Sequence, residues 1–132
     1  MIGLDTNVLV RYLAQDDRKQ AARATQLIES ELSEAVPGFV GLIVLVELCW
    51  VLKRLYQATA LELKQTVEDL LSSRQLSIER RDLVIAALRL LGSTSVDVAD
   101  ALIVAAARDA GCARTVTFDR SAAKLDGCTL LR

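Results

Sequence analysis

The chain has 132 residues, 52% of them hydrophobic, which is enough for one domain with a single substantial core. Its 16 basic and 17 acidic residues give a net charge of -1, so the molecule as a whole does not attract nucleic acid, and a polyanion would need a local basic face or a metal. The sequence contains no histidine, which excludes Ser-His-Asp and Cys-His catalysis and leaves any metal to oxygen ligands.

The first predicted strand is a short apolar run that ends at Asp5. We expect it to be buried, with Asp5 at its carboxyl end, where ligand sites form in open α/β sheets. A carboxylate there needs a cation, a proton or several hydrogen-bond donors. Alternatively, Asp5 caps the helix predicted over Asn7–Leu13. The residues alone leave both roles open.

The next predicted elements are an amphipathic helix over Arg18–Leu32, a short strand over Ala35–Val40 and an apolar helix over Leu42–Tyr56. Glu47 lies in the middle of the last helix, among apolar residues and with no polar neighbour before Lys53. Because an isolated buried carboxylate is costly, Glu47 is either a solvated surface residue or a group held by a partner.

Thr59 and Glu62 have the spacing of a capping box and predict the start of a helix that runs to about Ser72. A short strand over Leu76–Ile78 follows, and then a helix over Arg80–Leu91 that ends at Gly92. The charged residues of these helices are expected on a solvated surface.

The almost wholly apolar stretch Ser95–Ala107 predicts a helix that is buried on most sides. Asp97 and Asp100 share a face near its N-terminal end. Asp97 is suited to be the helix cap, because helix N-termini favour negative charge. Asp100 is harder to explain in this way, since it lies inside the helix and core residues follow at once.

The last predicted strands cover Arg114–Phe118, which ends in Asp119, and Gly127–Leu131 at a sheet edge. The alternation of strands and helices predicts an α/β fold. We expect a three-layer α/β/α architecture with a central, mostly parallel sheet of four to five strands.

The cysteines Cys49, Cys112 and Cys128 are odd in number and widely spaced, which predicts reduced core residues in a cytosolic protein. No charged leader with an apolar segment opens the chain. The longest apolar run, Phe39–Val46, is far short of the roughly 20 residues that cross a bilayer. We therefore expect a soluble, cytoplasmic protein.

Four acidic residues, Asp5, Glu47, Asp100 and Asp119, would meet at one end of a doubly wound sheet. Such a group repels itself and cannot stay ionised at neutral pH without a counter-charge. Hard divalent cations with oxygen ligands supply that charge. A structural calcium site is disfavoured, because it normally uses one compact loop and these residues are dispersed.

Four segments of the chain resemble, in order, the signature regions of PIN-domain ribonucleases. They are Asp5–Arg11, Val44–Leu52, Asp97–Ile103 and Thr115–Asp119. The length and these motifs are similar to those of the VapC-type toxins of bacterial toxin–antitoxin pairs. The resemblance covers essentially the whole chain and implies a single PIN domain over residues 1–132.

The resemblance implies a catalytic and metal-binding site of Asp5, Glu47, Asp100 and Asp119, with Asp97 as an additional acidic position. The implied reaction is hydrolysis of RNA phosphodiester bonds with Mg²⁺ or Mn²⁺. Asp5 and Asp100 would hold the ion, Asp119 would do so directly or through water, and a second ion is not required. Glu47 would hold a metal-bound water or help to deprotonate it.

Further implied roles fall on polar residues around these carboxylates. Thr6, Asn7 and Thr117 match positions that orient the acidic side chains, and Arg11 is a candidate for binding RNA phosphates. The resemblance also implies a homodimer and inhibition by a small VapB-like antitoxin. Because only 4% of the residues are aromatic, base stacking cannot be the main source of RNA affinity.

The chain departs from the family pattern at two places. Gly41 stands where Ser or Thr is common ahead of the Glu47 helix, and the segment 120–123 lacks the aromatic residue often seen after the last aspartate. Neither departure touches an implied metal ligand, so they concern substrate positioning rather than activity.

Two other classes of function fit the residues less well. Phosphoryl transfer to aspartate, as in receiver domains or haloacid-dehalogenase-like phosphatases, requires acidic pairs that the segment Asp5-Thr6-Asn7 lacks. A catalytically inactive PIN-like scaffold that binds a protein partner usually has lost an acidic residue, and all four are present here.

Overall fold

Five short strands alternate with helices along the chain, and the computed structural model describes all of residues 1–132. The elements are β1 (Ile2–Gly3), α1 (Thr6–Ala14), α2 (Arg18–Gln26), β2 (Gly38–Val40), α3 (Leu42–Tyr56), α4 (Ala60–Ser72), β3 (Leu76–Ile78), α5 (Arg81–Leu91), α6 (Val98–Asp109), β4 (Thr115–Thr117) and β5 (Cys128–Leu130). A π-helical turn continues α2, and a 3-10 turn lies between β4 and β5.

The residues group into two units by their contacts. The first comprises Met1–Ala58 and Gln65–Glu79, and the second comprises Thr59–Lys64 and Arg80–Arg132.

The first unit contains a parallel sheet in the order β1-β2-β3. The middle strand is buried at Gly38 and Val40. A Cβ on Gly38 would lie 2.7 Å from methyl carbons of both Leu4 and Leu32, so a larger residue here would displace these two buried side chains. Helix α1 packs against α2 and α3. The residues Leu45 and Leu48 of α3 are buried and belong to the core.

The second unit contains the parallel pair β4 and β5, together with α5 packed against α6. Val84 and Val98 are fully buried in this unit. Arg80, which precedes α5 with a positive φ of 48°, pairs with Asp82 at 3.1 Å and with Asp109 at 3.0 Å. These two carboxylates raise the pKa of Arg80 further above its usual value. The start of α5 and the end of α6 therefore lie side by side.

The observed elements confirm the predicted α/β class and fit the three-layer α/β/α fold. All five strands are paired in parallel, and their hydrogen bonds group them as three in one unit and two in the other. Helix α3 has the predicted bounds, and α5 ends before Gly92, which has a φ of 53°. The predicted capping box forms: Thr59 and Glu62 exchange hydrogen bonds of 3.0 and 3.1 Å.

Two predictions of burial were wrong. Ile2 and Gly3 are exposed, because β1 has two residues and pairs on one side only. The cysteines are free thiols, but only Cys49 is buried, and Cys112 is exposed because it follows the end of α6.

None of the helices combines the length and the apolar character that a membrane-spanning segment requires.

Candidate active site

Asp5 occupies the N-cap position of α1 with extended backbone angles, yet its side chain makes no capping hydrogen bond. The carboxylate is exposed, as is Asn7 in the first turn of the helix. Asp5 is therefore the N-cap residue by position, as the sequence suggested, but its side chain does not cap the helix. Its oxygens remain available to a cation at the positive end of the helix dipole.

Thr6 and Glu47 meet although they are 41 residues apart. The Thr6 side chain is buried, and its hydroxyl donates a hydrogen bond of 3.0 Å to Oε1 of Glu47. Glu47 itself is exposed on α3, and its Oε2 accepts no hydrogen bond from the protein. One carboxylate oxygen is thus held in place while the other is open to solvent.

The N-terminus of α3, the helix that carries Glu47, is closed by a residue that sequence reasoning missed. Gly41 is the N-cap residue and has no side chain to offer. Oε1 of Glu79, the residue after β3, accepts a hydrogen bond of 2.8 Å from the Leu42 N–H. Since 37 residues separate the partners, no local pattern indicated this contact.

The main chain and a threonine fix the Asp119 side chain just after β4. The Asp119 N–H donates to Oγ1 of Thr117 at 3.0 Å. Its Oδ1 accepts hydrogen bonds from the N–H groups of Ser121, at 2.7 Å, and Ala122, at 3.3 Å. Oδ2 accepts none, so Asp119, like Glu47, presents one oxygen that the protein does not use.

Asp97 and Asp100 lie at the start of α6, and both are partly buried. Asp97 is the N-cap residue, but its side chain makes no capping hydrogen bond, and Asp100 lies in the first turn. Both residues take part in interactions with the protein.

Cys128, at the start of β5, is affected by the charges of two of the predicted site residues. Its pKa is raised first by burial, and then by the negative charges of Asp100 and Asp119, against a lowering by the main chain of Thr129. Asp100 and Asp119 therefore both act on this thiol. The sequence did not indicate this, because the pairing of β5 with β4 brings Cys128 there.

Arg11 is engaged by its own chain. Its guanidinium donates to Gln20 at 2.7 Å and to Asp16 at 3.2 Å. Asp16 also accepts a hydrogen bond of 2.6 Å from the Tyr56 hydroxyl, which lowers the pKa of Asp16 and raises that of Tyr56. A phosphate bound by Arg11 would have to compete with Asp16.

The donor chemistry suits a hard cation, since carboxylate oxygens are the ligands that Mg²⁺ prefers. Asp5 and Glu47 supply such oxygens in the first unit, and Asp100 and Asp119 in the second. Within neither unit do three or more acidic or cysteine side chains gather closely enough to hold a metal. The convergence of all four acidic residues stays a prediction.

Comparison with known proteins identifies the family. No curated protein matches the chain significantly. The profile of the PIN domain matches residues 2–127, which include all four predicted acidic residues together with Thr6, Asn7 and Thr117. The chain therefore belongs to the PIN domain family.

Proposed function

We propose that this protein is a divalent-metal-dependent endoribonuclease and the toxin component of a type II toxin–antitoxin pair. PIN domains are generally metal-dependent nucleases, and the family match over residues 2–127 is the observation that carries the proposal. The preserved acidic set within that range supports an active enzyme rather than an inactive scaffold.

In this proposal, Asp5, Asp100 and Asp119 hold Mg²⁺ or Mn²⁺, with Glu47 and Asp97 beside them. When bound, such an ion acts as a Lewis acid, which makes water a better nucleophile and offsets charge on the scissile phosphate. Oδ2 of Asp119 is free for this role because the main chain already holds Oδ1.

Glu47 is the proposed proton acceptor. The Thr6 hydroxyl holds its Oε1, so its unoccupied Oε2 can receive the proton of the attacking water. In a chain without histidine, this step falls to a carboxylate or to the metal itself.

The proposal includes a VapB-like antitoxin and a homodimer as partners. Large apolar side chains that are exposed, among them Ile43, Trp50 and Leu61, support contacts with other proteins.

The test compares RNA cleavage by wild type and Asp100→Asn, purified without antitoxin, with Mg²⁺, Mn²⁺ or EDTA. Total RNA and a tRNA pool are the substrates. We expect cleavage only with metal, and at least about 100-fold less in Asp100→Asn, because a neutral amide is a poorer ligand. Asp126→Asn is the matched control, since Asp126 is 93% exposed and lies outside the proposed site.

A second readout is independent of activity. Mg²⁺ binds the folded state, so it should raise the melting temperature of wild type and raise that of Asp100→Asn less. If folded wild type binds Mg²⁺ and cleaves no RNA, the inactive scaffold is the better assignment. Full cleavage by Asp100→Asn would show that the site is misassigned.

A further inference from the structure

A surface cavity opens beside Asp119, at the ends of β4 and β5. It has a volume of about 760 Å³ and is lined by Phe118, Arg120, Leu130, Leu131 and Arg132. This volume lies within the roughly 300–1,000 Å³ that is typical of ligand sites. Phe118 and Arg120 flank Asp119 in the chain and both line the cavity, so the cavity opens at the segment that carries that carboxylate.

Phe118 is the most exposed large apolar side chain of the protein, at 79%. Aromatic rings normally bury most of their surface, so an uncovered ring at a cavity is available for stacking. The family pattern often has an aromatic residue after the last aspartate, which is absent here, whereas Phe118 comes directly before it.

Two unpaired cations accompany the ring. Neither Arg120 nor Arg132 forms an ion pair or a hydrogen bond with the protein, whereas Arg11, Arg80 and Arg108 are each bound to a carboxylate. No acidic side chain lines the cavity. The surface therefore combines a flat apolar ring with two arginines that form no ion pair with the protein.

This combination favours a single-stranded polynucleotide. Bases of single strands are free to stack on an aromatic ring, and arginines bind the phosphates between them. A second copy of the chain fits less well, because a two-fold contact centred on this surface would bring two surfaces of the same positive charge together.

Building on the ribonuclease function proposed above, we propose that this cavity positions the RNA for cleavage. Phe118 stacks on one unpaired base, and Arg120 and Arg132 bind the neighbouring phosphates. Because Phe118 directly precedes Asp119, the stacked base sets which phosphate lies at the metal site. One ring supplies one stacking contact, which adds to the affinity and fixes the register of the RNA, in keeping with the low aromatic content of the chain.

The experiment measures binding apart from cleavage. Fluorescence anisotropy of a short, fluorescein-labelled single-stranded RNA is followed in EDTA with the full chain. We expect Phe118→Ala to bind about tenfold more weakly and Phe118→Trp to bind like wild type. The double variant Arg120→Gln/Arg132→Gln should also reduce the slope of log affinity against log salt by about 1.4.

Arg114→Gln is the matched control, because Arg114 is exposed and unpaired at the opposite end of β4. With metal restored, Phe118→Ala should also change the pattern of cleavage positions, which a merely structural role would not do. All variants are checked by circular dichroism.

Equal RNA affinity of wild type and Phe118→Ala would overturn the proposal. So would a wild-type dimer that Phe118→Ala converts to a monomer without loss of RNA affinity, because the surface would then be a protein interface. If RNA binding depends on Phe118 but no RNA is cleaved with metal, the proposed nuclease function fails and the RNA-binding role remains.

Discussion

Among single residues, Thr6 has a buried hydroxyl whose acceptor, Glu47, is exposed. Thr6→Val keeps the shape of the buried side chain and removes the hydrogen bond. Because water can replace the donor at Glu47, we expect the free energy of unfolding to fall by only about 1 kcal/mol. Cleavage should fall more clearly, since Oε1 of Glu47 is no longer held.

Urea denaturation and RNA cleavage measure these two effects. Thr6→Ser retains the hydroxyl and is the control, because it should keep the hydrogen bond to Glu47 and with it the cleavage activity. Full activity of Thr6→Val would mean that the bond does not orient Glu47 for the reaction.

Cys128 reports on the two carboxylates of its own unit. Burial and the charges of Asp100 and Asp119 raise its pKa above the ordinary value of 9.0. We expect Asp100→Asn and Asp119→Asn each to lower that pKa, and Asp100→Asn to lower it more. The rate of iodoacetamide alkylation against pH, followed at Cys128 by mass spectrometry, measures the shift.

The raised pKa of Cys128 also makes the stability of the protein depend on pH. The folded state favours the neutral thiol of Cys128. The contribution of this thiol to the free energy of unfolding is therefore fully present below pH 9.0 and is lost as the pH rises through the pKa of the folded state. Asp69→Asn, in the other unit, is the control and should leave the alkylation profile unchanged. An unaltered profile in Asp100→Asn would contradict the proximity of that carboxylate.

At the scale of elements, the N-terminus of α3 depends on a cap from a distant part of the chain. We expect Glu79→Ala to lower the free energy of unfolding by about 1 kcal/mol, because the Leu42 N–H loses its acceptor. A Cβ on Gly41 would lie 3.5 Å from Oε1 of Glu79, so Gly41→Ser fits and can supply a local cap.

A double-mutant cycle tests this arrangement by urea denaturation. Glu79→Ala should lower the free energy of unfolding less in the Gly41→Ser background than in wild type. Glu34→Ala, at an exposed residue without hydrogen bonds, is the control. Equal costs in both backgrounds would show that Glu79 does not act as the cap.

Local patterns predicted the helices well and the ends of the strands less well. The apolar run and the flanking residues of α3 gave its observed bounds, and the Thr59 capping box forms as expected. The π-helical turn Leu27–Glu31 and the shortening of β2 to Gly38–Val40 were not predicted. Strand ends depend on pairing partners that are distant in sequence, and no local signal encodes them.

For the molecule as a whole, motif order across the chain predicted the family, which the match over residues 2–127 confirms. The sequence did not predict the contacts around the proposed site. Glu79 and Cys128 carry no motif, and they reach Leu42 and the two aspartates only through the parallel pairing of strands.

The pairing of α5 with α6 has a consequence for the order of folding. Only residues 92–97 separate these helices, and Arg80 joins the start of one to the end of the other. Little loop-closure entropy is lost in bringing them together, whereas β1 reaches β2 only after α1 and α2 have been enclosed.

We therefore expect the amides of α5 and α6 to gain protection first when refolding is followed by pulse-labelled hydrogen exchange. Earlier or simultaneous protection of β2 would contradict this order. If it holds, β1, and with it the start of α1 where Asp5 lies, is completed late, so a newly made chain acquires its proposed catalytic centre only near the end of folding.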